Sequence, residues 1–565
     1  MAIPRPEYPN PQFERENWEN LNGTWEFEID KSNSGKDRKM YEAEKLNSEI
    51  IVPFCPESVL SGIGDTDFLN SVWYKRNIDV KKTDDLVMLH IGACDYFTTV
   101  YINGKEVGTH KGGYTSFAFD ITDYVTAGKN TVIIHAEDDN RHGLQPKGKQ
   151  ANLYYSSGCD YTRTTGIWQT VWLEYVPKTH IEDFKIYPDS NNCKVSIRAV
   201  VEGKAEFCVT AYYQGRQMAK ETVTPSGKNA DVTLNLKESH LWEVGNGRLY
   251  DLVITYGQDT VKSYFGLRNV EVDGFKFMLN DKCVFQRTVL DQGFYPDGIY
   301  TAPSDEAMIN DIQISLDAGF NGARLHEKVF EPRFLYHCDR MGYIVWGEYA
   351  NWGLDHTELH SLPTFLREWE EAIKRDFNHP SIIGWCPFNE TWDIDGNSQR
   401  NEVLEMVYRT TKLYDTTRPC IDTSGNFHVV TDIFDYHDYT QDVESFAKIA
   451  DDLMNEGILN NLTHKQHYKG EPSFCSEYGG IKWDVENDGN AWGYGDAPKT
   501  EEEFIERYRG LTNALLKNTK MIGFCYTQLY DVEQERNGLY TYSRKPKFDM
   551  NIFKEINTQK AANEE

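Results

Sequence analysis

The second half of the chain alternates strand candidates with amphipathic helix candidates, and this alternation limits the fold more than any other feature. Most of the helical segments, such as SDEAMINDIQISLDAG, end near a Gly or Pro. Eight such units within about 290 residues predict a (β/α)8 TIM barrel over residues 269–565. A doubly wound sheet would carry a nucleotide-binding fingerprint after its first strand, and none occurs there. The strand candidates are CVFQRTVL, FNGARLH, YIVWGEYA, IIGWCPFNE, PCIDTSG, DIFDYHDY, PSFCSEYGG and MIGFCYTQLYD.

The residues before this region show short period-two segments without helical patterns between them. In residues 1–178, segments such as FTTVYING and NTVIIHAED predict a jelly-roll-like β-sandwich, and Asn103-Gly104 predicts a two-residue hairpin turn. In residues 179–268, the segments KVSIRAVV, EFCVTAYY and LYDLVITYG predict an immunoglobulin-like β-sandwich. We therefore expect a multidomain chain with two β-sandwiches followed by the barrel.

The chain is strongly acidic, with 59 Lys and Arg against 88 Asp and Glu and a formal net charge of −29. Such a protein repels phosphate backbones and anionic lipids, so we expect no nucleic acid and no membrane partner. The first residues lack the apolar core of a signal peptide, and the 11 cysteines include no C-x-x-C pair. These features predict a cytoplasmic protein without a zinc site.

Polar residues close several of the predicted barrel strands. The carboxyl ends of barrel strands meet at one mouth, where the active sites of this fold lie. The side chains at these ends are therefore the candidate site residues. They are Arg324 and His326 on strand 2, Glu348 on strand 3, Asn389 and Glu390 on strand 4, His437 and Tyr439 on strand 6, and Glu477 on strand 7.

Glu390 and Glu477 fall on strands that lie nearly opposite each other in an eight-stranded ring. Glycoside hydrolysis needs such a pair, because one carboxyl group protonates the leaving oxygen while the other attacks the sugar or activates water. A separation of about 5–5.5 Å between the two groups would give retention of configuration. The pair therefore indicates a glycoside hydrolase.

Each candidate also has a simpler structural interpretation. A Glu at a strand end often pairs with a neighbouring Arg, which applies to Glu348 and Arg324 in particular. Asn389 would serve equally well as a helix cap. His326 and His437 are compatible with hydrogen-bonded packing. As metal ligands together with Glu348, these histidines lack the spacings typical of zinc sites, so no metal site is predicted.

Several motifs occur in an order that resembles glycoside hydrolase family 2. They are WYKR at 73–76, VYINGKEVGTHKGGYTSFAFDIT, TRTTGIWQTVWLE at 162–174, FGLR at 265–268, FNGARLH, HPSIIGWCPFNET and EPSFCSEYGG. The family includes β-galactosidases, β-glucuronidases and β-mannosidases, and the resemblance covers nearly the whole chain. It implies the same order of domains and a glycosidase activity.

The resemblance also implies a role for each matched residue. Glu390, which follows Asn389, would be the general acid/base, and Glu477 would be the nucleophile. Burial and the charge of Glu477 would raise the pKa of Glu390. Asn389 would bind the sugar hydroxyl next to the anomeric carbon. Arg324 would keep Glu477 ionised, and Tyr439 would contact Glu477.

Other aligned positions concern the choice of sugar. Asp160, in the loop GCDYTRTTG, aligns with an acidic residue that reaches the pocket from the first domain, although a simple turn residue is the alternative. β-Glucuronidases of the family carry an Asn-x-Lys pair before the last barrel segment, where this chain has Glu535, Arg536 and Asn537. The missing Lys and the added carboxylate disfavour a glucuronide. Tyr526 replaces the usual Trp of the sugar-binding platform.

We therefore predict a retaining exo-glycoside hydrolase acting by double displacement on a small-molecule or oligosaccharide substrate with a neutral terminal sugar, most like a β-galactosidase. The alternatives within the enzyme class are an α-L-arabinofuranosidase, a β-galactofuranosidase and a β-glucuronidase. A non-catalytic carbohydrate-binding protein and a metal-dependent hydrolase are the alternatives outside it. No cofactor is expected, since the metal-ligand segment of the long bacterial β-galactosidases has no counterpart. A homo-oligomer is common in the family.

Overall fold

The computed structural model describes residues 3–456, 465–466, 468–486 and 489–564. Its first domain consists of β1 (Trp18–Asn20), β2 (Gly23–Ile29), β3 (Ser48–Val52), β4 (Ser71–Val80), β5 (Leu86–Ile91), β6 (Cys94–Asp95), β7 (Phe97–Ile102), β8 (Lys105–Lys111), β9 (Phe117–Asp120), β10 (Gly128–Glu137), β11 (Gly166–Ile167) and β12 (Val171–Val176). These strands form the sheets β1-β12-β5-β9 and β3-β2-β4-β10-β7-β8 and the ribbon β11-β6, all antiparallel.

The core of this domain lies between its two larger sheets. Val132 on β10 packs in one cluster with Leu89 on β5 and Leu173 on β12, which belong to the opposite sheet. The hairpin between β7 and β8 turns at Asn103 and Gly104, whose φ angles are 52° and 77°. The predicted two-residue turn is confirmed, since this turn type needs positive φ at both positions. The predicted β-sandwich is confirmed as well.

The second domain is a smaller antiparallel sandwich. Its strands are β13 (His180–Asp189), β14 (Lys194–Glu202), β15 (Phe207–Tyr213), β16 (Arg216–Val223), β17 (Asn229–Asn235), β18 (Tyr250–Tyr256) and β19 (Asp259–Phe265). They form the sheets β13-β14-β17 and β16-β15-β18-β19. Residues along β17 alternate strictly between buried and exposed, as expected for a strand with one face on the core. A short meander of β20 (Val270–Asp273), β21 (Lys276–Leu279) and β22 (Lys282–Cys283) leads into the barrel.

The third domain is a curled parallel sheet surrounded by helices. The sheet consists of β23 (Gln286–Asp291), β24 (Gly322–Leu325), β25 (Ile344–Glu348), β26 (Ile382–Cys386), β27 (Phe434–Asp438), β28 (Ser473–Gly479) and β29 (Met521–Thr527). Its order is β26-β25-β24-β23-β29-β28-β27. The helices are α1 (Asp305–Asp317), α2 (Pro332–Met341), α3 (Leu362–Asp376), α4 (Asn401–Tyr414), α5 (Val443–Glu456), α6 (Glu501–Leu516) and α7 (Met550–Asn557). None of the helices in the described ranges combines the length and apolarity needed to cross a bilayer.

The predicted fifth strand, PCIDTSG, is not a regular strand. It lies beside β26 and its continuation, and isolated parallel bridges join Trp385 to Cys420 and Asn389 to Ser424. Between these two bridges, the Asp422 carboxylate accepts the backbone N–H groups of Thr423, Val429 and Val430. A side chain that takes up backbone donors in this way competes with a strand ladder. The barrel prediction is confirmed, and the regular strand at this position is wrong.

A loop of the first domain closes one side of the barrel mouth. Residues 145–162 follow β10 and lie against the segment after β29. Gln534 donates its side-chain amide to the carbonyl oxygens of Gly158 and Asp160, at 2.8 and 3.0 Å. The backbone N–H of Thr162 donates to the Glu533 carboxylate. The mouth is therefore built from two domains.

Candidate active site

Glu390 lies just beyond β26, where Pro387 ends the strand because it has no N–H to donate. Its φ of 47° lies in the left-handed region, which residues with a Cβ rarely adopt. A hydrogen bond of 2.8 Å from its backbone N–H to the carbonyl oxygen of Ser424 holds this conformation. Backbone strain that the surrounding structure maintains is typical of functional positions.

Glu477 faces Glu390 from β28. Its Oε1 accepts a hydrogen bond of 3.1 Å from the Arg324 guanidinium, and its Oε2 accepts one from the Tyr439 hydroxyl. An oxygen of Glu477 lies within 4.8 Å of an oxygen of Glu390. The structure therefore brings together the two carboxylates that the sequence placed on separate strands.

Arg324 is fully buried below these carboxylates and joins four strands. Its Nε and Nη2 donate to Oε2 of Glu348, at 3.0 and 2.7 Å. His326 lies 2.9 Å from the other oxygen of Glu348. Burial raises the pKa of Glu348, but the charges of Arg324 and His326 outweigh it and lower the pKa to about 2. Glu348 therefore serves as the counter-ion of Arg324, the simpler of its two predicted roles.

His437 connects the two catalytic candidates. Its Nδ1 lies 2.7 Å from Glu390 Oε1 and 3.4 Å from Glu477 Oε2, and its Nε2 lies 2.9 Å from Ser424 Oγ. Gly425 makes this position available, because a Cβ there would lie 2.2 Å from His437 Nδ1. Burial lowers the pKa of His437, but the charge of Glu477 and the hydrogen bond to Glu390 outweigh it and raise the pKa.

The protonation of Glu390 differs from the expectation. Burial raises its pKa, but the hydrogen bond and positive charge of His437, with smaller contributions from Lys149 and Trp392, lower the pKa to about 2. The predicted raised pKa of Glu390 is therefore wrong. The raised pKa of His437 favours a protonated imidazole 2.7 Å from the Glu390 carboxylate.

The side chain of Asn389 carries an unpaired N–H donor next to Glu390. Its Oδ1 accepts from Arg324 Nη2 at 3.1 Å, and its backbone carbonyl accepts from the side chains of Asn351 and Trp352, both at 3.1 Å. Its buried Nδ2 has no hydrogen-bond partner among the described residues. A buried amide donor left open in this way is suited to a ligand oxygen.

Tyr439 belongs to an aromatic wall beside Glu477. Its ring stacks on Tyr494, with ring centres 3.4 Å apart and planes within 2°. Gly480, whose φ is 56°, permits this contact because a Cβ there would lie 2.3 Å from the Tyr494 ring. Tyr494 was not found from the sequence, since it follows no strand and no motif marks it.

The structure separates two further residues predicted to contact the substrate. Tyr526 is fully buried between the barrel and α6, where its ring packs against Tyr478 and Tyr508. Its hydroxyl donates to the carbonyl oxygen of Asn537, so the structure does not place Tyr526 in the pocket. Alternate residues of a strand face opposite sides, and Tyr526 falls on the helix side. Asp160 lies at the rim, with its carboxylate 3.1 Å from Lys147 Nζ.

Lys149 is a further residue of the site that sequence reasoning missed. It comes from the loop of the first domain, and its ammonium lies 3.8 Å from the ring centre of Trp352. Burial lowers the pKa of Lys149, but nearby groups that include Glu390 and Glu477 outweigh it and raise the pKa. No strand-end argument could find this lysine, because it belongs to another domain.

A largely apolar cavity of about 520 Å³ lies beside Glu390. Trp352, Leu354, Trp392 and Ile394 are its apolar lining. Trp392 is half exposed, and its indole N–H donates to Glu390 Oε2 at 3.2 Å. The oxygen of Glu390 that meets this cavity is therefore next to a flat aromatic surface.

One group of potential metal ligands occurs in the described ranges, and it consists of Glu390, His437 and Glu477. His437 contacts both carboxylates, and Glu477 also bonds to Arg324 and Tyr439. The three side chains therefore have partners within the protein. The metal set considered from the sequence, which included His326 and Glu348, is not formed.

Two facing carboxylates at the mouth of a barrel, with a buried arginine and open hydroxyl-binding groups, define a glycoside hydrolase. The chain belongs to glycosyl hydrolases family 2. It matches the family's TIM barrel domain over residues 270–560, its sugar binding domain over 65–177, and a further family 2 domain over 179–268.

Relatives with assigned names carry two different activities. A β-glucuronidase of Paenibacillus borealis is 24% identical over 96% of both chains, and a β-galactosidase of Thermoanaerobacter pseudethanolicus is 25% identical over 75% of this chain and 57% of its own. A relative from Formosa agariphila matches over 50% of its own length. A Ruminococcus gnavus β-glucuronidase, solved with D-glucuronic acid, has a TM-score of 0.81 over 99% of this chain at 20% identity, which shows the shared fold.

Proposed function

We propose that this protein is a retaining exo-glycosidase acting on a neutral terminal sugar, with Glu477 as nucleophile and Glu390 as general acid/base. The observation that carries the proposal is that one carboxylate oxygen of Glu477 lies within 4.8 Å of one carboxylate oxygen of Glu390. Retaining enzymes hold their carboxyl groups about 5–5.5 Å apart, whereas inverting enzymes need room for a water molecule between them.

The reaction follows from these positions. The Glu477 carboxylate forms a bond to the anomeric carbon while the bond to the leaving oxygen breaks and Glu390 donates its proton to that oxygen. Water then attacks the anomeric carbon, Glu390 accepts its proton, and the bond to Glu477 breaks. Arg324 and Tyr439 bind the oxygens of Glu477 and keep it ionised for the first step.

His437 supplies the proton that Glu390 donates. One proton is shared along the 2.7 Å hydrogen bond between them. A sugar that excludes water from the mouth favours the uncharged arrangement, with the proton on Glu390 and a neutral imidazole. Asn389 is oriented to donate its free amide N–H to the neighbouring sugar hydroxyl, and the leaving group occupies the cavity beside Trp392.

The neutral sugar is supported by the segment after β29. Glu535 is buried there and accepts hydrogen bonds from the Tyr161 hydroxyl and the Asn537 amide. A uronide would bring a second carboxylate next to it. We keep uronide hydrolysis as a second candidate for two reasons: Lys149 provides a buried cation whose charge acts on Glu535, and a relative aligned over 96% of both chains is named β-glucuronidase.

A panel of nitrophenyl glycosides tests the proposal. It should include the β-galactoside, the α-L-arabinofuranoside, the β-galactofuranoside and the β-glucuronide. We expect turnover of a neutral member, and NMR of the first product should show the anomeric configuration of the substrate. An inverted product contradicts the retaining mechanism, and sugar binding by calorimetry without turnover of any member supports a non-catalytic protein.

A further inference from the structure

Lys149 is a buried cation without a counter-ion in contact. Only 6% of the residue is exposed, and no hydrogen bond or ion pair joins its ammonium to another side chain in the described ranges. Its one close partner is the face of the Trp352 ring. A buried charge normally has a paired group, so this one is held ready for something the protein itself does not supply.

Contacts on two sides hold Lys149 in place. On one side, the Trp352 indole N–H donates to the carbonyl of Asn389, so the ring under the ammonium is tied to the residue that precedes Glu390. On the other side, the carbonyl of Lys149 accepts the backbone N–H of Tyr161 at 2.7 Å. The hydroxyl of that same tyrosine binds Glu535.

Glu535 is an acceptor on the Tyr161 side of Lys149. Its two oxygens each accept one hydrogen bond, from Tyr161 and Asn537, and a carboxylate accepts about four in all. Its charge acts on Lys149, yet the two groups form no direct ion pair. Lys149 and Glu535 are therefore not paired with each other, and each can still form further hydrogen bonds.

We propose that Lys149 and Glu535 select the sugar by holding one of its hydroxyl groups between them. The inference rests on the proposed glycosidase function and names the residues that choose its substrate. A hydroxyl accepts from the ammonium and donates to the carboxylate at the same time, which satisfies both groups. The first domain thus contributes a specificity-determining residue to the site of the barrel.

Other ligand groups satisfy only half of this arrangement. A sugar carboxylate can accept from Lys149 but offers Glu535 a second negative charge, and like charges in one buried site disfavour each other. An amino group donates to Glu535 and repels Lys149. Sites built to bond a hydroxyl reject analogues that leave their buried groups unpaired, so the pair also explains discrimination against uronides.

Paired substitutions and deoxy substrates test this proposal. In Lys149→Met, kcat/KM for the preferred neutral glycoside should fall about ten- to hundredfold, as expected for loss of a hydrogen bond to a charged group. Glu535→Gln should lower it similarly and raise the uronide-to-neutral activity ratio. Along a series of deoxy-glycosides, one deoxy position should remove the effect of Lys149→Met, because that substrate lacks the bridging hydroxyl.

Lys328 offers a matched control. It is also a buried lysine over an aromatic ring, but its ammonium already donates to the carbonyls of Gly293 and Tyr300. Lys328→Met should lower the unfolding midpoint and leave the activity ratios unchanged. Unchanged kcat/KM in Lys149→Met overturns the inference while the glycosidase function stands. Wild-type preference for a uronide, abolished in Lys149→Met, makes Lys149 a carboxylate anchor instead, and no turnover by the wild type removes both proposals.

Discussion

Two triads in the barrel share their residue types, a histidine between two acids, and differ in what surrounds them. In the closed triad the histidine nitrogens lie 2.7 and 3.1 Å from the two carboxylates. In the open triad one histidine nitrogen lies 2.7 and 3.4 Å from them. The closed triad is Asp422, His428 and Asp435, and the open triad is Glu390, His437 and Glu477.

Both acids of the closed triad accept hydrogen bonds from buried groups of the protein. Asp422 Oδ2 accepts the backbone N–H groups of Val429 and Val430, at 2.7 and 3.0 Å. Asp435 accepts the hydroxyl of Ser424 at 2.6 Å, and both acids are completely buried. Burial lowers the pKa of His428, but the two carboxylates outweigh it and raise the pKa to about 10. The charges of the closed triad stabilise the irregular fifth segment of the barrel, which contains Asp422.

The open triad receives no backbone N–H on its carboxylates within the described ranges. Its acids bond only to side chains at the mouth, and the side chain of Glu390 is 15% exposed. Backbone N–H groups bonded to a carboxylate, as at Asp422, therefore distinguish the structural charge cluster from the one that is available to a ligand.

The largest effect is expected from the open triad's acids. Glu477→Gln should lower kcat on the order of 10⁴-fold or more, since it removes the nucleophile, and Glu390→Gln about 10²–10⁴-fold. Unfolding midpoints should stay close to the wild type, because neither acid holds backbone donors. Azide should restore turnover and give an inverted glycosyl azide with Glu477→Ala and a retained one with Glu390→Ala. Equal azide products from both variants contradict the two roles.

A smaller effect is expected from the histidine of the open triad. The shared proton leaves as the pH rises through the raised pKa of His437, so wild-type kcat/KM should fall on the basic side above about pH 6.5. In His437→Gln, Glu390 must hold the proton alone. Its pKa rises from about 2 without the imidazolium, but we expect it to remain below that of the pair. The basic limb should therefore move to lower pH, with kcat about 10²-fold lower at pH 7.

A pH–rate profile of both proteins measures this shift. The His437→Asn variant serves as the control for side-chain size, and it should shift the limb in the same direction. An unchanged basic limb would mean that a different group supplies the proton. The same substitution in the closed triad should alter the profile less, because His428 reaches His437 only through Asp435 and Ser424.

The fold was accessible from the sequence because periodicity reports directly on which face of an element is buried. The seven regular barrel strands and both sandwiches follow from it, and so does the approach of Glu390 to Glu477. The prediction of a regular fifth strand was wrong, because the Asp422 carboxylate accepts backbone N–H groups. An apolar sequence pattern does not reveal such hydrogen bonds. The prediction that Tyr526 contacts the substrate failed for a related reason. The end of a strand locates the mouth of the barrel, but a shift of one residue along the strand decides which side of the sheet the ring faces.

Contacts between domains were not accessible from the sequence. Lys149 precedes Glu390 by 241 residues, and no periodicity connects the two. The pKa of Glu390 was also beyond reach, because it depends on the 2.7 Å approach of His437. The sequence shows which charged residues are neighbours along the chain. The distance between charges on different strands is known only from the structure.

A modest effect is expected where the open triad meets the cavity. Trp392→Ala should lower kcat/KM for an aryl glycoside about three- to tenfold, the value of one aromatic contact. The methyl glycoside, which has no ring to stack, should lose little. Trp392→Phe retains a ring but not the N–H donated to Glu390, so it separates stacking from the hydrogen bond. Equal losses for both substrates would indicate that the indole acts only through Glu390.

The smallest effect on chemistry, and the clearest on stability, is expected in the closed triad. The folded-state pKa of His428, about 10, exceeds its unfolded value of about 6.5. The stabilisation is therefore complete below about pH 6.5 and is lost as the pH rises through about 10. His428→Gln leaves two buried carboxylates without their cation, which should cost about 3 kcal/mol at pH 6. Urea unfolding of both proteins should show this difference shrinking towards pH 10, while kcat of the folded variant stays near the wild type. A constant difference across that range would mean that His428 is neutral in the native protein, and the two triads would then differ in protonation as well as in exposure.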